Sequence, residues 1–102
     1  STPETGFDCS GYVCWVYNQN GYDVGRTTAN GLWQKSQHIS EAEAKPGDLV
    51  FFEGTYDTVG KSHVGIYLGN GMMVSAGDPI KYANIHSSYW QKYLSGFGRL
   101  SK

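Results

Sequence analysis

Charge is scarce in this chain: Asp, Glu, Lys and Arg supply 17% of 102 residues, and the balance leaves a net charge of −1 at pH 7. With no basic excess, nothing argues for nucleic acid or an anionic lipid surface as partner. No stretch approaches the ~20 consecutive apolar residues of a membrane span. A charged-then-apolar leader is missing too, and so is an initiator methionine: Ser1-Thr2-Pro3-Glu4-Thr5-Gly6 reads like a loop within a longer protein. The expectation is one domain, residues 1–102, from the C-terminal part of that protein. Cysteine occurs only twice, at Cys9 and Cys14. The absence of C-x-x-C excludes thioredoxin-like and zinc-ribbon readings. Five residues apart on a helix, the two Cα atoms would lie about 8–9 Å apart, beyond disulfide reach. Cys14 is therefore expected to pack as a small apolar side chain.

Aromatics, by contrast, reach 15%, with eight Tyr and three Trp. They fit either a β-rich core edged with tyrosine or a groove that binds sugar- or peptide-like material through ring faces. Along the chain, Cys9, Val13, Val16 and Tyr17 recur at helical spacing, and Asn20-Gly21 supplies a stop. A short second helix is expected over 28–35. The turn Lys45-Pro46-Gly47-Asp48 launches Leu49-Val50-Phe51-Phe52, an unbroken apolar run that reads as a buried strand. Then His63 to Leu68 alternates, Gly69-Asn70-Gly71 turns, and Met72 to Ala76 returns, a hairpin. A third strand is expected over 80–83, a helical turn over 87–94, and a closing strand at 98–100. A helix followed by antiparallel strands makes the fold class α+β.

Two residues carry chemistry. Cys9 stands where the first helix begins, and unpaired N–H groups with the positive end of the helix dipole favour thiolate there. The backbone N–H of Cys9 could also help hold the oxyanion of a tetrahedral intermediate. His63, 54 residues later, opens a strand, so its imidazole sits on a rigid scaffold from which it could take the thiol proton and deliver it to a leaving amine. His38 and His86 lie in polar, loop-like surroundings and rank behind it. Cys9, His38, His63 and His86 share no ligand-like spacing, so no metal site is expected.

A third group should accept a hydrogen bond from the other imidazole nitrogen. If Gly69-Asn70-Gly71 is a three-residue loop, Leu68 faces Met72 and Gly65 faces Ser75. Ser75 is then a diagonal neighbour of His63 on one sheet face, roughly 7–8 Å away at the backbone. If Asn70-Gly71 is a two-residue turn instead, the pairing slips by one and Asp78 faces His63. Ser75 is the first choice and Asp78 the second.

Gly6-Phe7-Asp8-Cys9-Ser10-Gly11, Arg26-Thr27-Thr28, Pro46-Gly47-Asp48-Leu49-Val50-Phe51-Phe52 and His63-Val64-Gly65-Ile66-Tyr67-Leu68-Gly69-Asn70-Gly71 together resemble the NlpC-type cell-wall cysteine peptidases. The blocks occur in the family's order, and the similarity runs from Thr5 to Leu100. It implies a papain-like domain in which an N-terminal helix carrying the nucleophile packs on a small antiparallel sheet. It implies cleavage of the γ-D-glutamyl to diamino-acid bond of peptidoglycan stem peptides, with Cys9 as nucleophile, His63 as base, and Asp8 and Ser10 lining the substrate groove. No cofactor is implied. The family's third catalytic residue, usually histidine, falls at Ser75, a short neutral acceptor; Asp78 or Asn84 could substitute. The family's Tyr- and Gly-rich segment ahead of the cysteine block is missing from this sequence. Such a domain would act outside the cell on the wall, as a monomer fused to another wall-acting or wall-binding domain.

Two other readings remain. A non-catalytic wall-binding module would contact glycan or peptide through Trp33, Tyr67 and Trp90. An amidase or acyltransferase would keep the Cys–His chemistry for a different bond.

Overall fold

The computed structural model describes residues 9–54, 60–75 and 81–101, with residues 9, 10, 75 and 81 described by backbone alone. Helix α1 spans Cys9–Gln19 and α2 Ala29–Lys35. The stop signal acts as expected, with the chain turning at Asn20-Gly21, where Gly21 has φ 89°. Helix α2 is capped by Thr28, whose hydroxyl accepts from the Gly31 N–H at 3.0 Å, satisfying one of the donors that a helix start leaves open. Strands β1 Gln37–Ile39, β2 Leu49–Glu53, β3 Lys61–Gly69, β4 Met72–Ser75, β5 Lys81–Asn84 and β6 Leu94–Arg99 follow, with a 3-10 turn at Glu41–Glu43 and helix α3 at Ser88–Tyr93. None of the described helices is long and apolar enough to cross a membrane.

The strands form one antiparallel sheet in the order β1-β6-β2-β3-β4-β5. Strand β2 runs through its middle, which is why its sequence is apolar without alternation. Leu49 and Phe51 join Val13, Cys14, Tyr17, Leu32 and Val64 in the core beneath α1 and α2. Val50 and Phe52 join Tyr67, Met73, Ile85 and Phe97 on the other face. Cys14 is buried as expected, its thiol directed at the Thr27 carbonyl at 3.8 Å.

Two expectations need correction, and one strand has no counterpart in the sequence reading. The closing strand does not start at Gly98: β6 begins at Leu94, directly after α3, because pairing with β2 starts at Phe52↔Leu94. Strand β1, with its polar sequence Gln-His-Ile, is an edge strand held by β6; it has no apolar pattern to mark it. At the hairpin, Asn70-Gly71 is a two-residue turn with φ 54° and 77°, left-handed at both positions, yet the register does not slip. Gly69 faces Met72, Leu68 bulges out, and Tyr67↔Met73 restores Gly65↔Ser75. One bulged residue compensates for the shorter turn.

The turn before β2 is fastened to β6 by Asp48. Its buried carboxylate accepts from the Lys45 N–H at 2.8 Å and from Arg99 Nε and NH2 at 3.0 and 2.8 Å. Burial alone would raise the Asp48 pKa, but Arg99 and the Lys45 amide hold it below its ordinary value. This contribution to stability is present above the usual carboxylate pKa and is lost as pH falls through the lower folded value. Asp48→Ala leaves the Lys45 amide without its acceptor and Arg99 with only the Glu43 carbonyl, so it should cost about 2 kcal/mol, read as a lower urea midpoint. An unchanged midpoint would deny the fastening any energetic role.

Candidate active site

His63 is the third residue of β3 and pairs directly with Phe52 on β2. Residues paired across an antiparallel ladder share a face, so the imidazole joins the Phe52 side of the sheet, opposite Val64 and α1. Its ring lies 5.7 Å from the Phe52 ring and 5.1 Å from the Trp90 ring, nearly parallel to the indole at 29°. Phe52 and Trp90 meet each other at 4.8 Å. Three rings thus touch pairwise. This burial disfavours the cation and pushes the His63 pKa down to about 4, leaving a neutral imidazole at pH 7.

Cys9 is the first residue of α1, as the sequence predicts. Its side chain, the side chains of Ser10 and Ser75, and the whole of Asp8 and Asp78 lie outside the described residues. For Ser75 the backbone is informative: pairing with Gly65 puts it on the His63 face, one diagonal step along the sheet. Asn84 is different. It pairs with Met72 at the turn end of the hairpin, three residues or about 10 Å beyond Ser75, and its side-chain oxygen accepts from the His86 N–H at 2.8 Å. That position cannot serve His63.

The far end of α1 is well defined. The Tyr17 hydroxyl donates to the Gly47 carbonyl, and Gly47 N–H donates to the Tyr67 carbonyl at 2.8 Å. Burial, with Tyr22 and Asp48 adding to it, raises the Tyr17 pKa well above the phenolic range. Val16, Tyr17, Asn20, Tyr22, Gly47 and Ile66 line a cleft of about 210 Å³ there.

The remaining histidines are better held than their sequence surroundings suggest. His38 stacks on Trp33 at 3.5 Å and 10°, with Nε2 2.9 Å from the Trp33 carbonyl. His86 Nε2 is 2.6 Å from Glu41 Oε2. Among the described residues no three metal-ligating side chains converge. The aromatic residues of the wall-binding reading fare unevenly. Tyr67 is buried and its hydroxyl accepts from the Gly71 N–H at 3.1 Å, so it cannot contact a ligand; strand alternation sends it inward. Trp33 is covered by His38 and by Lys61, whose Nζ is 4.2 Å from the ring centroid. Trp90 stacks on His63, a contact that sequence reasoning missed because 27 positions and three strand boundaries separate the two residues.

The fold and site define a class: an α+β papain-like domain with a cysteine opening a helix and a histidine near the start of a central strand. The family model described as "NlpC/P60 family" matches residues 1–99, and the chain belongs to that family. It is 48% identical over 101 residues to the bifunctional muramidase/DL-endopeptidase CwlT of Bacillus subtilis, covering 98% of this chain and 30% of that protein. A crystal structure of an NLP/P60-family protein similar to lipoprotein from Staphylococcus aureus superposes with TM-score 0.91 at 42% identity, covering 99% of this chain and 34% of that one. RipD of Mycobacterium tuberculosis, described as a non-catalytic NlpC/p60 domain protein adapted to peptidoglycan binding, superposes with TM-score 0.75 at 25% identity, covering 94% of this chain and 68% of that one. The chain thus spans about a third of CwlT and of the staphylococcal protein.

Proposed function

We propose that this domain is a cysteine endopeptidase acting on peptidoglycan stem peptides outside the cell, at the γ-D-glutamyl to diamino-acid bond. The observation that carries the reading is the course of α1 along β3. Tyr17 lies beside Gly47 and Ile66, toward the far half of β3, and Val13, one turn nearer the helix start, shares a core cluster with Val64, the neighbour of His63, so we take the start of the helix to run toward the half that holds His63. From residue 17 back to residue 9 the helix covers about 12 Å. From residue 66 back to residue 63 the strand covers about 10 Å. Helix start and imidazole therefore come to nearly the same level along β3, with the ring on the Phe52 face of the sheet and α1 on the Val64 face, so in this reading thiol and imidazole meet around the strand's open end and not through the sheet. The relatives named as endopeptidases favour the same chemistry.

In this mechanism His63, neutral at pH 7, accepts the Cys9 thiol proton. The thiolate attacks the amide carbonyl carbon, and the oxyanion rests on N–H groups at the start of α1. The imidazolium then protonates the departing diamino-acid nitrogen as the C–N bond breaks, leaving a thioester. Water gives its proton to His63 and adds to the thioester; the sulfur leaves, and a γ-carboxylate is released. Asp8 and Ser10 line the groove beside the nucleophile, and Ser75 orients the imidazole. No step calls for a metal or organic cofactor.

The test is mass analysis of purified stem peptides after incubation. New amino termini on the diamino acid support the reading; cleavage elsewhere, or transfer to another amine, makes the enzyme an amidase or acyltransferase. Binding without any release makes the domain a wall-binding module, the reading that RipD favours. Ser75→Ala removes one neutral hydrogen bond worth about 1 kcal/mol, so kcat should fall about five-fold. A loss a hundred times larger would mean that Ser75 does more than orient the ring.

A further inference from the structure

We infer that Trp90 is a positioning residue for His63: its indole holds the imidazole in one rotamer and shields the outer ring face from water. The inference rests on the peptidase reading above and extends it to a residue with no reacting atoms. Its basis is the three-ring contact. Phe52, fully buried, supports the imidazole from the paired strand, and Trp90 closes over it from α3.

The helix is short, and its connections explain how it can hold a ring in place. Gln91 Nε2 donates to the Ile85 carbonyl at 2.8 Å, and Gln91 N–H donates to the Ser87 carbonyl at 2.9 Å. At the other end the Leu94 N–H donates to the Trp90 carbonyl, and Leu94 is already paired with Phe52. Trp90 is therefore anchored, through four residues, to the strand that pairs with His63. Tyr89 meets the indole edge-on at 4.8 Å and also meets Tyr93 at 5.2 Å, bracing the tryptophan from the solvent side. Only half-buried, Trp90 is not a fully enclosed core residue; part of it is left over to cover something at the surface.

The charged groups on the neighbouring elements are engaged elsewhere. Glu53 on β2 and Lys61 on β3 pair with each other at 2.6 Å, and Lys92 on α3 lies over Tyr93 at 5.5 Å. The phenols of Tyr67 on β3 and of Tyr89 and Tyr93 on α3 complete the titratable set on these elements. Burial is the cause that lowers the imidazole pKa, and the indole is one of the two rings packed against it.

The experiment reads His63 in the free protein by NMR titration and then reads kcat and KM separately. In the unaltered protein, the His63 Cε1 proton should show an upfield ring-current shift and cross-peaks to the indole, a measurement independent of whether any variant folds. In Trp90→Leu the His63 pKa should rise by about one unit or more toward the ordinary 6.5. There kcat should fall about ten-fold or more with KM nearly unchanged. Trp90→Phe, which keeps a ring over the imidazole, should restore both. Absence of the ring-current shift, or a folded Trp90→Leu protein with unaltered His63 titration and kcat, overturns the inference. If no protein cleaves stem peptide, the peptidase reading fails while the titration still decides whether Trp90 holds the ring.

Discussion

Cys9→Ala should abolish release of new amino termini from stem peptides, by about 10⁴-fold or more, while thermal stability changes little. In the proposed mechanism Cys9 is the nucleophile, and removing the nucleophile of a residue set that acts as a unit costs nearly as much as removing the whole set. The buried Cys14 cannot replace it, since its thiol faces the Thr27 carbonyl inside the core. Cys9→Ser tests the same point more finely: a hydroxyl of the same shape has a far higher pKa, so it should bind stem peptide normally and turn it over hardly at all. Equal release by the parent and by Cys9→Ala would end the covalent reading, whatever the fold.

The second large effect concerns pH. The His63 imidazole has its pKa lowered by burial to about 4 in the folded protein, against about 6.5 in an unfolded chain. Between those values the unfolded chain binds the extra proton and the folded one does not, so stability rises with pH across the window. Read downward, acidification from 6.5 to 4 removes stability, and below 4 this contribution does not change further. The gap corresponds to about 3 kcal/mol as an upper figure, because the ring retains some exposure. Urea midpoints measured from pH 7.5 to 3.5 should show that slope in the parent and lose it in His63→Gln. A parent slope no steeper than that of His63→Gln would mean that the imidazole is hydrated. Activity should follow the same sign: the acid limb of kcat/KM depends on a neutral imidazole and lies below pH 6.5 in the parent.

Much of the fold was legible because local and global preferences agree. The spacing of Val13 and Tyr17 and the stop at Asn20-Gly21 define α1. The apolar run at Leu49–Phe52 announces a strand buried on both faces, and Asn70-Gly71 announces a hairpin. What was not legible depended on compensation between distant or opposing features. The bulge at Leu68 cancels the shift introduced by the two-residue turn, and nothing in the residue types there marks it. Strand β1 exists because β6 offers it an edge. Tyr67 reads as an available aromatic until strand alternation turns it inward, and Asn84 reads as a possible partner for His63 until the β4–β5 pairing carries it to the wrong end of the sheet.

The order of the sequence blocks was enough to determine the family and the α+β class, because each block rests on local preferences; the proposal of Cys9 and His63 as a pair rests on the same local chemistry, a thiol at a helix start and an imidazole near a strand start. Only the tertiary structure decided what surrounds that imidazole. Phe52 and Trp90 come from a neighbouring strand and a later helix, and their distance from His63 is set by strand register and by the direct passage of α3 into β6. Burial and basicity are properties of such an assembled environment, so they appear only when the chain is folded.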